Sequence, residues 1–154
     1  MEYGSIEREI HVEATPEVVY EVISTPEHLR GWWPDEAEIE PRAGATGVVS
    51  FGDRSTPDAN VVPLTVIEAD PPRRFSFRWV YDEGEAATPD NSLLVTFELV
   101  PSGAGTLLRF TEAGFREKGW EAAVLEEQYR DHAAGWDHFL PRLATYVARL
   151  VSTR

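Results

Sequence analysis

One stretch limits the fold more than any other, the run from about Glu121 to Leu150. With Trp136 set as zero on a helical wheel, Leu125, Tyr129, His132, Leu140, Leu143, Val147 and Leu150 fall within about 40° of it. Glu127, Arg130, Asp131, His138, Arg142 and Arg149 fall on the far side. This spacing predicts one long amphipathic helix with a wide apolar stripe. Average helices run only ~11–12 residues, so the stripe needs a long partner surface. Gly135 and Pro141 interrupt the pattern. Pro141 lies on the solvent side and removes one backbone bond, which costs about 3 kcal/mol in a regular helix and predicts a bend there.

The partner surface is read from the rest of the chain as short strands. Ile6, Arg8, Ile10 and Val12 alternate with Glu7, Glu9, His11 and Glu13, the pattern of a half-buried strand with Arg8 on the inward side. Thr15-Pro16 and Thr25-Pro26 are two helix-start signals, and they predict two short helices, the second ending near Gly31. Trp32-Trp33-Pro34 follows, and in an extended chain only one of the two indoles would point into the core. Strands are then expected at residues 37–40, 46–51 and 61–69, with Pro63 marking an edge or a bulge. Phe75, Phe77 and Trp79 form the inner face of the next strand. The last two strands carry Leu93, Val95, Phe97 and Leu99, then Thr106, Leu108 and Phe110. Asp53 to Asn60 and Asp82 to Asn91 read as polar loops. Sequential strands with short turns pair antiparallel, so the class is α+β, and residues 1–154 are expected to be one domain.

Composition excludes several functions. The formal charge is −13, which disfavours phosphate backbones and anionic lipid, so nucleic acid and membrane surfaces are poor partners. The chain has no Cys, which removes disulfides, thiolate metal sites and thiol nucleophiles together. No apolar run is long enough to span a membrane, and the start lacks a signal-peptide pattern. A soluble, cytoplasmic protein is expected.

Taken in order, several local patterns resemble one family. They are Ala14-Thr15-Pro16 with Val18-Val19, Thr25-Pro26-Glu27 with Trp32-Trp33, and Glu68 to Phe75 with Trp79. Val95 to Leu99, Glu112-Ala113-Gly114-Phe115 and His132-Ala133-Ala134-Gly135-Trp136 complete the series. The chain resembles the START-like, or Bet v-like, helix-grip superfamily of SRPBCC domains. Within it, it is similar to the branch named after the activator of heat-shock-protein-90 ATPase. The resemblance implies a curved antiparallel sheet of six to seven strands gripping the long helix, with two short helices after strand 1. It also implies a cavity between sheet and helix for a lipid-like, aromatic or other small apolar molecule.

On that reading Trp32, Trp33, Phe51, Phe77, Trp79, Phe97, Phe110 and Trp136 are candidate cavity-lining residues, with Phe75 behind them. Ordinary core packing accounts for the same residues. Glu112 keeps the inward parity of Leu108 and Phe110. It is a candidate ligand-orienting carboxylate or base, against a plainer role bonding backbone amides near Gly114. His132 lies one turn from Trp136, with Tyr129 nearby, and is the best acid–base candidate among the four histidines. His132 and His138 fall on different sides of the wheel, so no metal site and no cofactor are expected. No nucleophile elbow, P-loop or dinucleotide fingerprint is present, so no catalytic residue is assigned.

The expected function is therefore binding of a small hydrophobic ligand between sheet and helix. A polyketide cyclase or hydrolase-like enzyme is the first alternative, and it requires Glu112 and His132 to converge. A chaperone-related interaction module is the second, and it requires an exposed apolar patch, for which the unplaced indole of Trp32-Trp33 and Trp120 are the candidates.

Overall fold

The computed structural model describes residues 3–53, 55–82 and 84–152, so Met1, Glu2, Arg54, Glu83, Thr153 and Arg154 lie outside the described residues. Strand β1 (Ser5–Val12) leads into helices α1 (Pro16–Ser24) and α2 (Pro26–Trp32). Six strands follow: β2 (Glu36–Glu38), β3 (Thr46–Phe51), β4 (Asn60–Asp70), β5 (Arg74–Trp79), β6 (Leu93–Ser102) and β7 (Gly105–Ala113). Helix α3 (Ala122–Ser152) ends the fold. The strands make one curved antiparallel sheet in the order β1-β7-β6-β5-β4-β3-β2. This is the α+β helix-grip architecture the sequence predicts, with seven strands. Among the described residues no helix is long and apolar enough to cross a membrane.

Local chemistry explains the two short helices. Thr15 caps α1, its Oγ1 accepting the Val18 N–H at 3.4 Å, with Pro16 in the first turn. Thr25 behaves differently from the expected start signal. Its hydroxyl donates back to the Glu21 carbonyl at 2.8 Å, so it closes α1 and gives α2 no side-chain cap. Two helices joined by one residue must bend sharply, and this brings α2 over towards α3. Gly31 makes the close approach feasible, because a Cβ there would land on the ring of Tyr146 in α3.

Both adjacent indoles enter the core, which corrects the expectation that one points elsewhere. Trp32 is the last residue of α2, and Trp33 leaves it with φ −122° and ψ −95°. The chain is turning there rather than extended, so alternation does not apply, and the two rings stack at 6.0 Å with 24° between planes. Pro63 is also resolved. At that position β4 pairs with β3 (Pro63 opposite Val48), while the pairing with β5 ends at Leu64 opposite Trp79. Proline thus stands where the strand has a single neighbour, and the register shift comes later, between Val66 and Glu68.

The stripe on α3 buries as the wheel requires. Trp136, Leu140, Leu143 and Val147 are buried, while Leu125, Tyr129, His132 and Leu150 are half-buried. The helix continues through Pro141. Arg8, the inward polar residue of β1, reaches across to α3 and donates to Asp137 at 2.7 and 3.2 Å. That bond holds the Asp137 carboxyl below its ordinary value. A depressed carboxylate adds stability above the unfolded pKa and loses it as pH falls through the folded one. Because Asp137 is 56% exposed, the contribution is small, at most about 1 kcal/mol. Asp137→Asn should therefore lower unfolding stability by up to about 1 kcal/mol at neutral pH, with the difference from wild type vanishing below about pH 3, measured by urea denaturation at both pH values.

Candidate functional site

Strand β7 alternates buried and less buried residues, and the inward series Thr106, Leu108, Phe110 ends in a carboxylate, Glu112, which is fully buried. Glu112 lies opposite Val95 of β6, which lies opposite Phe77 of β5. Trp79 is two residues further along β5 and reaches across β6. Its indole N–H donates to Glu112 Oε2 at 2.7 Å. From above, Trp136 of α3 donates its indole N–H to Oε1 at 2.9 Å. His132, one turn earlier, places Nδ1 2.8 Å from the same oxygen. An indole nitrogen only donates, so both carboxylate oxygens act as acceptors. The third contact then puts a proton on His132 Nδ1, with Nε2 on the ring edge away from the carboxylate. His132 is flanked edge-on by Trp79 at 5.6 Å and Phe115 at 5.5 Å, and its side chain keeps 16% of its surface exposed.

This arrangement corrects the plainer reading of Glu112. Its partners are side chains from β5 and α3, and none is a backbone amide near Gly114. The convergence of Glu112 and His132 that the enzyme alternative requires is present in the geometry, because α3 crosses the sheet at the end of β7.

The rest of the inward aromatics form a connected cluster. Trp33 sits at its centre, with ring centroids 5.9 Å from Phe51, 5.7 Å from Phe77, 5.1 Å from Trp79 and 5.2 Å from Trp136. Phe110 packs on Trp136 at 4.5 Å and on Phe97 at 5.4 Å, and Phe97 meets Trp32 at 6.3 Å. Trp32, Trp33, Phe77, Trp79, Phe97, Phe110 and Trp136 are all buried. Phe51 and Phe139 are half-buried and lie 6.2 Å apart on the outer side of the cluster. Tyr129 belongs to a different part of the site: its hydroxyl donates to the Ser5 carbonyl at 2.9 Å, and its ring meets Phe115 at 5.3 Å. The space assigned to a ligand in the sequence is thus occupied by mutually touching rings. Five clefts among the described residues, of about 330–560 Å3, are lined mainly by residues outside this ring cluster.

Two contributors were missed in the sequence. Phe115 is fully buried and braces His132. Lys118 donates its ammonium to the carbonyls of Val80 and Asn91, each at 2.9 Å, so it ties together the two ends of the acidic loop beside Trp79. Burial lowers the Lys118 pKa, with Asp82 and Glu85 acting against that shift. Val80, directly after Trp79, has φ +62°, a left-handed conformation that a β-branched residue rarely adopts. A lysine four residues after a glycine carries no pattern that announces such a clamp.

The sequence profile of the family described as "Activator of Hsp90 ATPase homolog 1-like protein" matches residues 13–148. Comparison with curated proteins gives no match. Among solved structures, protein MLL2253 from Mesorhizobium loti is 20% identical, with a TM-score of 0.75 over 94% of this chain and 97% of that one. The Aha1 dimer from Colwellia psychrerythraea is 19% identical, with a TM-score of 0.71 over 93% of this chain and 95% of that one. DynU16, described as a putative protein in the dynemicin biosynthetic locus, is 22% identical, with a TM-score of 0.71. That match covers 94% of this chain and 47% of DynU16. At these identities the likeness is one of fold.

Removing the Glu112 side chain would leave three buried or nearly buried N–H groups without an acceptor. Glu112→Ala should lower unfolding stability by about 3–5 kcal/mol, read from urea denaturation. A loss under about 1 kcal/mol would mean that the three donors find water or other partners at little cost.

Proposed function

Because the chain belongs to the activator of Hsp90 ATPase homolog 1-like family, whose helix-grip fold it has, we propose that it binds a small planar apolar molecule in the ring cluster around Trp33. The observation that carries this reading is the difference between Trp33 and its neighbours. Trp32 donates its N–H to the Val22 carbonyl, and Trp79 and Trp136 donate theirs to Glu112. Trp33 makes no side-chain hydrogen bond among the described residues and is held by ring contacts alone. Ring pairs contribute only about 0.5–1.5 kcal/mol each beyond burial, and a ligand ring of similar shape replaces them in kind. Trp33 also sits on a turning segment just past a helix end, beside the half-buried Phe51. The ligand takes the place of the Trp33 indole and stacks against Trp79 and Trp136. The rings fixed by Glu112 form the rigid wall, and Trp33 is the part that moves. The likeness to DynU16, a protein of a biosynthetic locus, accords with a small-molecule role.

Intrinsic tryptophan fluorescence, titrated with a naphthalene-type probe, tests the reading. Saturable quenching of the wild type is expected, with Kd on the order of 1 μM, and tighter binding by Trp33→Ala, which removes the competing ring. Binding by Trp33→Ala but not by the wild type would defeat the proposal, since any engineered apolar hole takes up such probes.

One observation favours a second reading, that of a proton-transfer enzyme on the same site. Glu112 and His132 lie 2.8 Å apart, and the carboxylate orients the imidazole so that Nε2 faces away from it and is the nitrogen left for proton exchange. If the bound molecule is also a substrate, His132→Gln should abolish turnover while leaving probe binding within about threefold of wild type, because Trp79 and Trp136 form the wall that binds it. Turnover unchanged in His132→Gln would exclude the acid–base role. The interaction-module reading lacks its patch at Trp33, which is buried, and Trp120 is half-buried with the Lys118 ammonium 5.1 Å from its ring centre.

A further inference from the structure

The side of α3 turned away from Glu112 carries a cleft of about 330 Å3, lined by Gly31, Pro141, Arg142, Thr145, Tyr146 and Arg149. Five of these residues come from the second half of α3, and four of them, Arg142, Thr145, Tyr146 and Arg149, repeat at i, i+3, i+4 and i+7, so they share one helix face. Arg142 and Arg149 differ by about 20° around the axis and by about 10.5 Å along it. Two guanidinium side chains therefore rise on the same side, with Tyr146 and Thr145 between them.

Six arginines elsewhere on the surface are paired. Arg8, Arg42, Arg73, Arg74, Arg109 and Arg130 each bond a carboxylate. Among the described residues Arg142 and Arg149 have no acidic partner, although the chain has 27 acidic side chains against 14 basic ones. Arg142 instead lies over the ring of Phe139, at 5.7 Å. In a chain where carboxylates outnumber cations about two to one, these two forks stand side by side in one cleft.

The floor of the cleft is built rather than incidental. Tyr146 is fixed by a bond between its hydroxyl and His28 Nδ1 at 2.7 Å, and His28 Nε2 is in turn 3.2 Å from Glu21 Oε1. The imidazole meets the phenol ring edge-on at 5.8 Å. The phenol ring lies where a side chain on residue 31 would sit, which only glycine permits. Glycine inside a helix costs about 0.5–1 kcal/mol relative to alanine, and here it holds an aromatic floor against α2.

We propose that this cleft binds a small soluble phosphate group, free or as a monoester, clamped by Arg142 and Arg149 across the Tyr146 ring. Guanidinium forks match the oxygens of a tetrahedral oxyanion, and two cations suit a dianion better than a monocarboxylate. The source is a soluble phosphate rather than a lipid headgroup, because a chain of charge −13 is repelled by an anionic bilayer. Local cations still act on a small ion, since charges further off than ~8–10 Å are screened at ordinary ionic strength.

The test is an amide NMR titration with inorganic phosphate, chloride being withdrawn to keep ionic strength constant. Saturable shifts are expected at Gly31, Thr145 and Tyr146, with half-saturation on the order of 1 mM, and much weaker shifts with acetate. The double variant R142Q/R149Q, altered at two exposed positions, should keep the remaining spectrum and lose at least tenfold in affinity. R142Q alone should fall between. Shifts that stay linear in phosphate, or curves unchanged in the double variant, would overturn the site. Co-sedimentation with phosphatidic acid vesicles that R142Q/R149Q abolishes would overturn the soluble source. None of these readouts depends on ligand binding at Trp33.

Discussion

A single buried carboxylate joins the two layers of this molecule. Glu112 ends the inward series of β7, and it accepts one N–H from the sheet, through Trp79, and two from the helix, through Trp136 and His132. A charge-bearing group at zero exposure is tolerated only when its oxygens are satisfied. The satisfaction here is directional. Moving α3 along its axis by one residue, about 1.5 Å, would break two of the three bonds. Apolar packing of Leu140, Leu143 and Val147 holds the helix down, but packing alone is forgiving of small slides. The carboxylate fixes the register.

The same junction sorts the aromatics into two populations. Trp79 and Trp136 are pinned by hydrogen bonds and belong to the frame. Trp33 touches both, at 5.1 and 5.2 Å, yet is anchored by stacking only. On the proposed reading, that contrast lets one ring exchange for a ligand while the rings around it stay. Lys118 adds a further tie on the acidic loop next to Trp79, with both loop ends bonded to one ammonium.

Much of this was legible before the structure. The wheel centred on Trp136 identified the buried face of α3, and strand parity placed Glu112 inward, because both signals are periodic and survive tertiary packing. Parity failed at Trp32-Trp33, since it assumes an extended chain and the backbone there is turning out of a helix. Thr25 carried a helix-start signal, yet its hydroxyl was taken by the preceding helix, a competition between neighbouring elements that no single-helix pattern expresses. The indole partners of Glu112 were not foreseen for another reason. Trp79 and Trp136 were read as apolar surface, and an indole N–H reveals its role only once an acceptor stands within about 3 Å of it. The His28–Tyr146 contact, between residues 118 apart, was likewise beyond any local pattern.

The most direct test is on the three donors themselves. In 1H–15N spectra the indole N–H protons of Trp79 and Trp136 should resonate downfield and exchange with solvent slowly. His132 should show the tautomer with its proton on Nδ1. All three signatures should shift together in Glu112→Gln, because one acceptor serves them all. Fast-exchanging indole protons in the wild type, or a His132 carrying its proton on Nε2 alone, would contradict the claim that Glu112 fastens the helix to the sheet.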